Sequence, residues 1–412
     1  MCYNDIGYTK LTTKGVLLKM EQKPKVLLTY IESGMGHITS MQSIKAGLQK
    51  YSDVLDIKED FIMHHSAAAK IYEKFITREC ANCVKHPLFG TFMFWFFDVI
   101  GGIESLAALH HSIFYVAYHA IMKHFEEEKP AVIISTHYFV TYVAVRYRMK
   151  HDPNCIVITY NPDNNVHMWW DGREGLFLVN NETARDEAIK KRKFAPERVI
   201  NVGFSKRKEV VECTATKEEL RDKYNLPQDR FTVLLADGAY AVGRSKDFCR
   251  HLLYTKKDIT IVYLAGKNIK RHYYFLKKKA KLEKKGKTNI DFRILEFTPK
   301  IYEYYKACDV VITKAGPNTL LDCCLVGTPF IANLLPQPME KAAYQLFVKD
   351  KKCGMGVFRD WQIQKVIEHL IDCPECLDQY KENMKYFQEM PNGVEKISAV
   401  IEDELKKQGL IK

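Results

Sequence analysis

The chain runs to 412 residues, too long for one ordinary domain and suited to two. Hydrophobic residues make up 47% and charged residues 27%, which supplies packed interiors and excludes wholesale disorder. The 62 Lys and Arg exceed the 50 Asp and Glu by a formal charge of +12, which favours anionic partners (nucleotide phosphates, acidic lipid surfaces, nucleic acid) without choosing among them.

Residues 1–24 carry no clear periodicity and read as a lead-in that ends at Pro24. KVLLTY, from Lys25, is a short apolar run passing into the loop Ser33-Gly34-Met35-Gly36-His37, after which ITSMQSIKAGLQKY has helical spacing. Strand, glycine turn and helix together open a Rossmann-type unit. VLDIKED reads as a second strand, 66–85 and 106–128 as helices, AVIISTH as a buried strand, 139–150 as a helix, and CIVITYNPD and GLFLVNN as strands. Continuous apolar strands separated by helices predict a parallel sheet covered on both faces.

Between 66–85 and 106–128 lies PLFGTFMFWFFDVIGGI, from Pro87 to Ile103, interrupted by Gly90 and Asp98 and too short to cross a bilayer. Two readings stay open. It packs into the domain core, or Phe94, Trp95 and Phe96 dip into a membrane interface, where amphipathic aromatic segments sit.

A second alternating series starts near residue 231 with FTVLLADGAYAVG, whose Gly238 follows the strand. Then come a helix at 245–254, strand ITIVYLAG, a basic helix, strand FRILEFT, a helix at 301–306, strand DVVITKAG, a helix at 318–326 and strand PFIANLL. The stretch 267–287 holds ten Lys or Arg against one Glu, either a solvated helix face or a contact for an anionic surface. The expected division is a lead-in at 1–24, an N-terminal half at 25–206, a C-terminal half at 207–385, and a last helix at 386–412 returning toward the N-terminal half.

Twelve cysteines, several inside apolar runs such as Cys323-Cys324, and the lack of a secretion signal point to reduced thiols in a cytoplasmic chain. The C-x-x-C pairs Cys80/Cys83 and Cys373/Cys376 have no His cluster of finger-like spacing beside them, so no metal centre is expected.

Three loops carry candidate chemistry. Gly34 and Gly36 allow a tight turn in which backbone N–H groups approach a bound group. His37, at the mouth of the helix, can accept a proton from a hydroxyl; a turn that merely closes the connection is the plain alternative. Thr313-Lys314-Ala315-Gly316-Pro317-Asn318-Thr319 opens a helix whose unpaired N–H groups suit a diphosphate, with Pro317 favouring the first helical position. One turn on, Asp322 can accept hydrogen bonds from a ribose diol or sit as a surface Asp. Asp163, His167 and Trp170 share one loop and could orient an acceptor and line a sugar-sized pocket.

These loops, in this order, resemble the monogalactosyldiacylglycerol synthase and processive diacylglycerol glucosyltransferase family, relatives of the peptidoglycan enzyme MurG. The likeness spans roughly 25–357. The family's G-x-G-H is met by Gly34, Gly36 and His37, its S-T-H by Ser135, Thr136 and His137, and its D-x-x-x-H-x-x-W by Asp163, His167 and Trp170. AGKN at 265–268 resembles a G-[KR]-N motif. ITKAGPNTLLDCCLVGTPFI follows V-T-K-P-G-G-L-T-x-x-E-A-L-x-x-G-x-P through Lys314, Gly316, Thr319, Gly327 and Pro329. Departures are Pro317 for a loop glycine, Asp322 for the ribose-binding Glu, and Gln337-Pro338-Met339 with Ala342 for the Gly-Gln-Glu donor loop and Asn, which leaves Glu340 as the nearest acid.

The resemblance implies a GT-B fold, α/β with two Rossmann-like domains facing across a cleft. It implies an inverting, metal-independent glycosyltransferase with no cofactor, moving a hexose from UDP-glucose or UDP-galactose to a lipid such as diacylglycerol on an anionic membrane surface. His37, Asp163 and His167 would be catalytic. Gly238, Lys314, Gly316, Pro317, Asn318, Thr319, Asp322 and Glu340 would bind the donor, and Gly34, Gly36, His137 and Trp170 the acceptor. A soluble or nucleic-acid acceptor, a UDP-sugar 2-epimerase and a non-catalytic nucleotide-sugar binder remain alternatives.

Overall fold

The computed structural model describes residues 23–31, 35–65, 87–112, 114–241, 243–286, 289–333 and 338–412, with 67, 70, 71, 73, 74 and 78 besides. The expected helix at 66–85, the turn residue Gly34, the pair Cys80/Cys83 and Gln337 lie outside these or are only sparsely covered by them.

The first sheet holds β1 (Lys25–Tyr30), β2 (Asp56–Phe61), β3 (Val132–Ser135), β4 (Ile156–Tyr160), β5 (Leu176–Val179) and β6 (Val199–Asn201). All pair parallel, in the order β2-β1-β3-β4-β5-β6. Side chains alternate between faces, so each strand feeds two cores. Val26 and Leu28 of β1, Ile134 of β3 and Ile158 of β4 pack in one cluster, while Leu27, Ile133 and Val157 pack in the other. Burial on both faces explains why these strands read as unbroken apolar runs rather than alternating ones.

The second sheet repeats the plan with β7 (Phe231–Ala236), β8 (Ile259–Gly266), β9 (Ile290–Glu296), β10 (Val310–Thr313), β11 (Phe330–Ala332) and β12 (Gly354–Gly356). Its parallel order is β12-β11-β10-β7-β8-β9. Val233, Leu235, Val310 and Ile312 face one core; Leu234, Ala236 and Val311 face the other. In both sheets the strand order reverses beside the first strand, at β1/β3 and at β7/β10. Such switch points open a crevice at the carboxyl ends of parallel strands.

The chain passes between the two sheets at 203–206 and again at 388–393. There Asn392 Oδ1 accepts from the Lys206 N–H at 3.0 Å and Asn392 Nδ2 donates to the Lys206 carbonyl at 3.1 Å. The Lys206 ammonium donates to the Gln388 and Met390 carbonyls. Gly393 N–H bonds the Phe204 carbonyl at 2.8 Å, and a Cβ on Gly393 would sit 2.5 Å from the Gly203 oxygen, so only glycine fits this approach. Beyond it, helix Gly393–Lys407 lays Ile397, Ile401 and Leu405 against the β1 face that carries Val26 and Leu28.

Three expectations are corrected. The single helix at 106–128 is two, Ile103–Ser112 and Tyr115–Glu128. The Ser112 hydroxyl turns back to the Ala108 and Leu109 carbonyls at 3.1 and 3.2 Å, a local bond that competes with continuation of the helix. Core burial of the aromatic segment fails too: helix Pro87–Val99 leaves Leu88 83%, Phe92 54%, Trp95 59%, Phe96 41% and Val99 63% exposed. The Phe94 side chain is outside the described set. Finally, the cysteines are not uniformly reduced. Cys373 and Cys376 form a disulfide, while Cys155, Cys213, Cys249, Cys308, Cys323, Cys324 and Cys353 are free.

Candidate active site

His37 lies in the first turn of helix Met35–Leu48, just beyond β1, and reaches the loop after β3. Its Nδ1 is 2.5 Å from the Thr136 carbonyl, and the Thr136 hydroxyl donates back to the His37 carbonyl at 3.2 Å. A carbonyl can only accept, so Nδ1 carries the hydrogen and the Nε2 lone pair is left to take a proton. His137, its ring 5.1 Å from that of His37, caps helix Tyr138–Lys150 by accepting from the Phe139 N–H at 3.2 Å. Burial, with the charge of His37 and then His167, holds its basicity well below the ordinary imidazole range. His167 accepts from the Trp169 N–H at 3.3 Å, and burial, then Arg192 and His37, push it down to about 3. Two of the three imidazoles are thus kept neutral around the third.

Asp163 follows β4. Burial raises its carboxyl above the usual range, and His37 and then Lys314 oppose the rise. It is therefore influenced by one residue from each half of the molecule. Its loop is pinned by amides: Asn161 Oδ1 accepts from the Asp163 N–H at 3.0 Å, Asn161 Nδ2 donates to the Asn165 carbonyl at 2.8 Å, and Asn180 Nδ2 donates to the Pro162 carbonyl at 3.1 Å. None of these amides was singled out in the sequence, although the run N-P-D-N-N signals a side-chain-braced turn.

Trp170, expected at the acceptor, is 2% exposed and packs with Val166, Phe177 and Phe194. The neighbouring Trp169 is the more open indole. Its Nε1 donates to the Ser105 hydroxyl at 3.1 Å, and its ring lies 5.3 Å from Phe97 and 5.5 Å from Tyr138. Tyr138 in turn stacks on His137 at 4.4 Å. An aromatic series, Phe97, Trp169, Tyr138 and His137, therefore joins the exposed helix Pro87–Val99 to the His37 crevice.

The C-terminal half presents its own switch point. Gly238, at φ +75° after β7, adopts a conformation that glycine takes without strain, and the nearest atom to a Cβ there is Lys314 Cε at 4.0 Å. Gly316 caps helix Pro317–Val326, with Pro317 at its first position; a Cβ on Gly316 would meet Thr319 Oγ1 at 3.9 Å and Lys314 Cε at 4.0 Å. Lys314 ion-pairs with Glu340 at 3.0 Å. Glu340 is 6% exposed, and its Oε2 has no hydrogen-bond partner among the described residues. Gly36, from the N-terminal half, would bring a Cβ to 3.0 Å from Asn318 Nδ2, so the two glycine loops meet.

Asp322 is 5% exposed and is gripped by Arg207 through Nη2–Oδ2 at 2.5 Å and Nε–Oδ1 at 3.3 Å. Burial raises its carboxyl and Arg207 opposes the rise. The pair lines a small cavity between the halves with Thr39, Ser40, Ser205 and Asn318. A ribose diol at Asp322 would share its oxygens with this guanidinium. At the carboxyl ends of β7, β8 and β9, Lys267 lies 5.4 Å over the Tyr240 ring and 5.1 Å over Phe297, both rings partly exposed. This cationic, aromatic lip has the chemistry to hold a planar base. The sequence reading missed it, because its members are far apart in the chain.

Comparison with known proteins divides the chain between two family models. Residues 37–205 match monogalactosyldiacylglycerol (MGDG) synthase, and residues 204–399 match the glycosyltransferase family 28 C-terminal domain. A processive diacylglycerol beta-glucosyltransferase of Bacillus licheniformis is 26% identical over 63% of this chain and 65% of its own length, just under two thirds. Monogalactosyldiacylglycerol synthase 2, chloroplastic, of Arabidopsis thaliana is 23% identical over 86% of this chain and 75% of its own length. Among solved structures, MurG of Acinetobacter baumannii superposes with a TM-score of 0.56 at 12% identity, over 92% of this chain and 99% of that one.

Proposed function

We propose that the chain, whose two halves match the monogalactosyldiacylglycerol synthase and glycosyltransferase family 28 C-terminal models, is a GT-B glycosyltransferase that moves a hexose from UDP-glucose or UDP-galactose to a diacylglycerol-type lipid at an anionic membrane surface, with inversion and without a metal. One observation carries the reading: the two glycine loops meet, a Cβ on Gly36 beside His37 falling 3.0 Å from Asn318 Nδ2 at the start of the helix that follows Lys314. A candidate base and a candidate leaving-group cation are thus brought to one crevice.

In this reading the acceptor hydroxyl gives its proton to His37 Nε2 as its oxygen attacks the anomeric carbon, and the bond from that carbon to the UDP oxygen breaks. Asp163 balances the imidazolium that forms. Charge released on the diphosphate is met by Lys314 and by the N–H groups that begin helix Pro317–Val326. In this reading the Lys314–Glu340 pair opens or shifts as the donor enters, and the Tyr240, Lys267 and Phe297 lip takes the uracil.

The lipid acceptor is supported by the exposed helix Pro87–Val99. Among the described residues no single helix is long and apolar enough to cross a membrane; this helix and its neighbour, bent by 100°, meet the requirement only together. A short apolar helix with Trp95 and Phe92 outward suits an interface, and Tyr115 and Val116, 51% and 57% exposed, add to the same apolar character. The aromatic series toward His137 then offers a lipid headgroup a route from the bilayer to the base.

UDP release from a panel of UDP-sugars, measured with and without diacylglycerol in anionic vesicles, tests this. Turnover that rises with the lipid supports it and names the donor. Turnover indifferent to lipid would move the acceptor to soluble molecules, and a 2-epimerised sugar would replace transfer with isomerisation. Anomeric configuration of the product by NMR tests inversion, and activity after exhaustive chelation tests metal independence.

A further inference from the structure

Away from the transfer crevice, helix Ile363–Asp372 meets helix Pro374–Glu389 at a single residue, Cys373. Cys373 ends the first helix and caps the second, with Pro374 following at the first helical position. His369, Cys373 and Cys376 are spaced four and three residues apart, the spacing that brings side chains to one side of a helical path. The structure bears this out: one ligand atom from each residue lies within 4.8 Å of the other two. The His369 Nε2 is 3.9 Å from Cys376 Sγ, and the Cys373 and Cys376 Cα atoms are 5.6 Å apart. Beneath, Ile367, Leu370 and Leu377 are anchored in the core, so the backbone that carries the three groups is held firmly. His369 is exposed and both cysteines are partly so, which leaves the site open to solvent.

We propose that, in the reduced protein, His369, Cys373 and Cys376 bind a soft divalent ion of the Zn²⁺ type, with a solvent molecule as fourth ligand. Imidazole and two thiolates are the donors such an ion prefers, and three protein ligands with one open position make a tetrahedral site. The disulfide recorded here is the competing state. Two equivalents of a thiol reductant convert it to two Cys thiols and leave as their own disulfide; the ion then displaces one proton from each thiol, releasing two. In a zinc dithiolate the sulfurs stand about 3.8 Å apart, which side-chain rotation reaches without moving these Cα atoms. Bound there, the ion would tie the corner between two helices, the second of which packs Met384 and Phe387 on the core beneath helix Pro317–Val326.

The test is a Co²⁺ titration of the full chain reduced with a phosphine, followed by displacement with Zn²⁺ and mass-spectrometric mapping of alkylated thiols. The expected result is one Co²⁺ per chain with a sulfur-to-metal charge-transfer band, protection of Cys373 and Cys376 from alkylation, and loss of both effects in Cys373→Ser/Cys376→Ser. His369→Ala, at an exposed position, should weaken binding by more than about 100-fold, beyond the usual effect of losing an outer-sphere partner. Cys80→Ser/Cys83→Ser should keep the band. A wild type without a thiolate band, a band that survives Cys373→Ser/Cys376→Ser, a band lost in Cys80→Ser/Cys83→Ser, or full affinity in His369→Ala would each overturn the site. Circular dichroism of the metal-free variants separates a lost ligand from a lost fold.

Discussion

Acidification should destabilise the N-terminal half through two buried histidines. His137 and His167 are 1% and 5% exposed, and both are held neutral when folded, His167 down to about 3. Their folded basicity is depressed, so once unfolded they take up protons that the folded site refuses. Stability from this source is fully present above about pH 6.5, the unfolded value, and declines as pH falls below it. Between pH 7.5 and 5.5 His167 gives up on the order of 1 kcal/mol, and His137 adds a loss of the same sign. Asp163 and Asp322 act in the opposite sense, since their carboxyls are held above the usual range when folded. Comparing wild type with His137→Asn/His167→Asn cancels those contributions, and Asn can still accept the Phe139 and Trp169 N–H bonds. Urea unfolding followed by fluorescence suits the measurement, because Trp169 and Trp170 adjoin His167. A double variant with the same pH slope as wild type would refute the reasoning.

His37→Gln should cut transfer by roughly 10²- to 10⁴-fold, the usual worth of a positioned base, with UDP affinity unchanged by calorimetry; near-normal turnover would remove the base role. Activity should fall on the acid side as Asp163 protonates at its raised value, and Asp163→Asn should lower the plateau and erase that limb of the kcat/KM profile. Phe92→Ser/Trp95→Ser gives up about half of the ~1.5–3 kcal/mol that burying each large apolar side chain supplies, together roughly 1.5–3 kcal/mol, or roughly 13- to 160-fold in vesicle partitioning. Co-sedimentation equal to wild type would rule the helix out as the lipid contact. Gly393→Ala meets only backbone, with the Gly203 oxygen at 2.5 Å and the Phe204 oxygen at 2.8 Å, so a loss of about 1–3 kcal/mol is expected in thermal unfolding; unchanged stability would mean the crossing can relax.

Strand, glycine loop and helix were legible because each is a local pattern. Apolar runs such as VLLTY and VVIT are dictated by a sheet buried on both faces, and loops at switch points are where such sheets bind. Contacts between distant residues were not legible. Arg207 and Asp322 stand 115 positions apart, and nothing local in either marks the ion pair. Nor could periodicity decide the fate of PLFGTFMFWFF: a helix apolar all round has no stripe to show which side is buried, so core and interface read alike. Trp170 was drawn toward the site by its loop, whereas the adjacent Trp169 is the less buried indole. His369 escaped notice beside Cys373 and Cys376 because its spacing is helical rather than finger-like.

Helix Gly393–Lys407 covers the sheet face that begins with Val26, so one wall of the first core is supplied by residues synthesised after the whole second sheet. On the ribosome the N-terminal sheet therefore emerges with an uncovered apolar flank and waits, through translation of the entire second sheet, for Ile397, Ile401 and Leu405. That interval is when a chaperone would have the most to hold. A premature stop before residue 393 would leave both sheets formed and the first one unsealed.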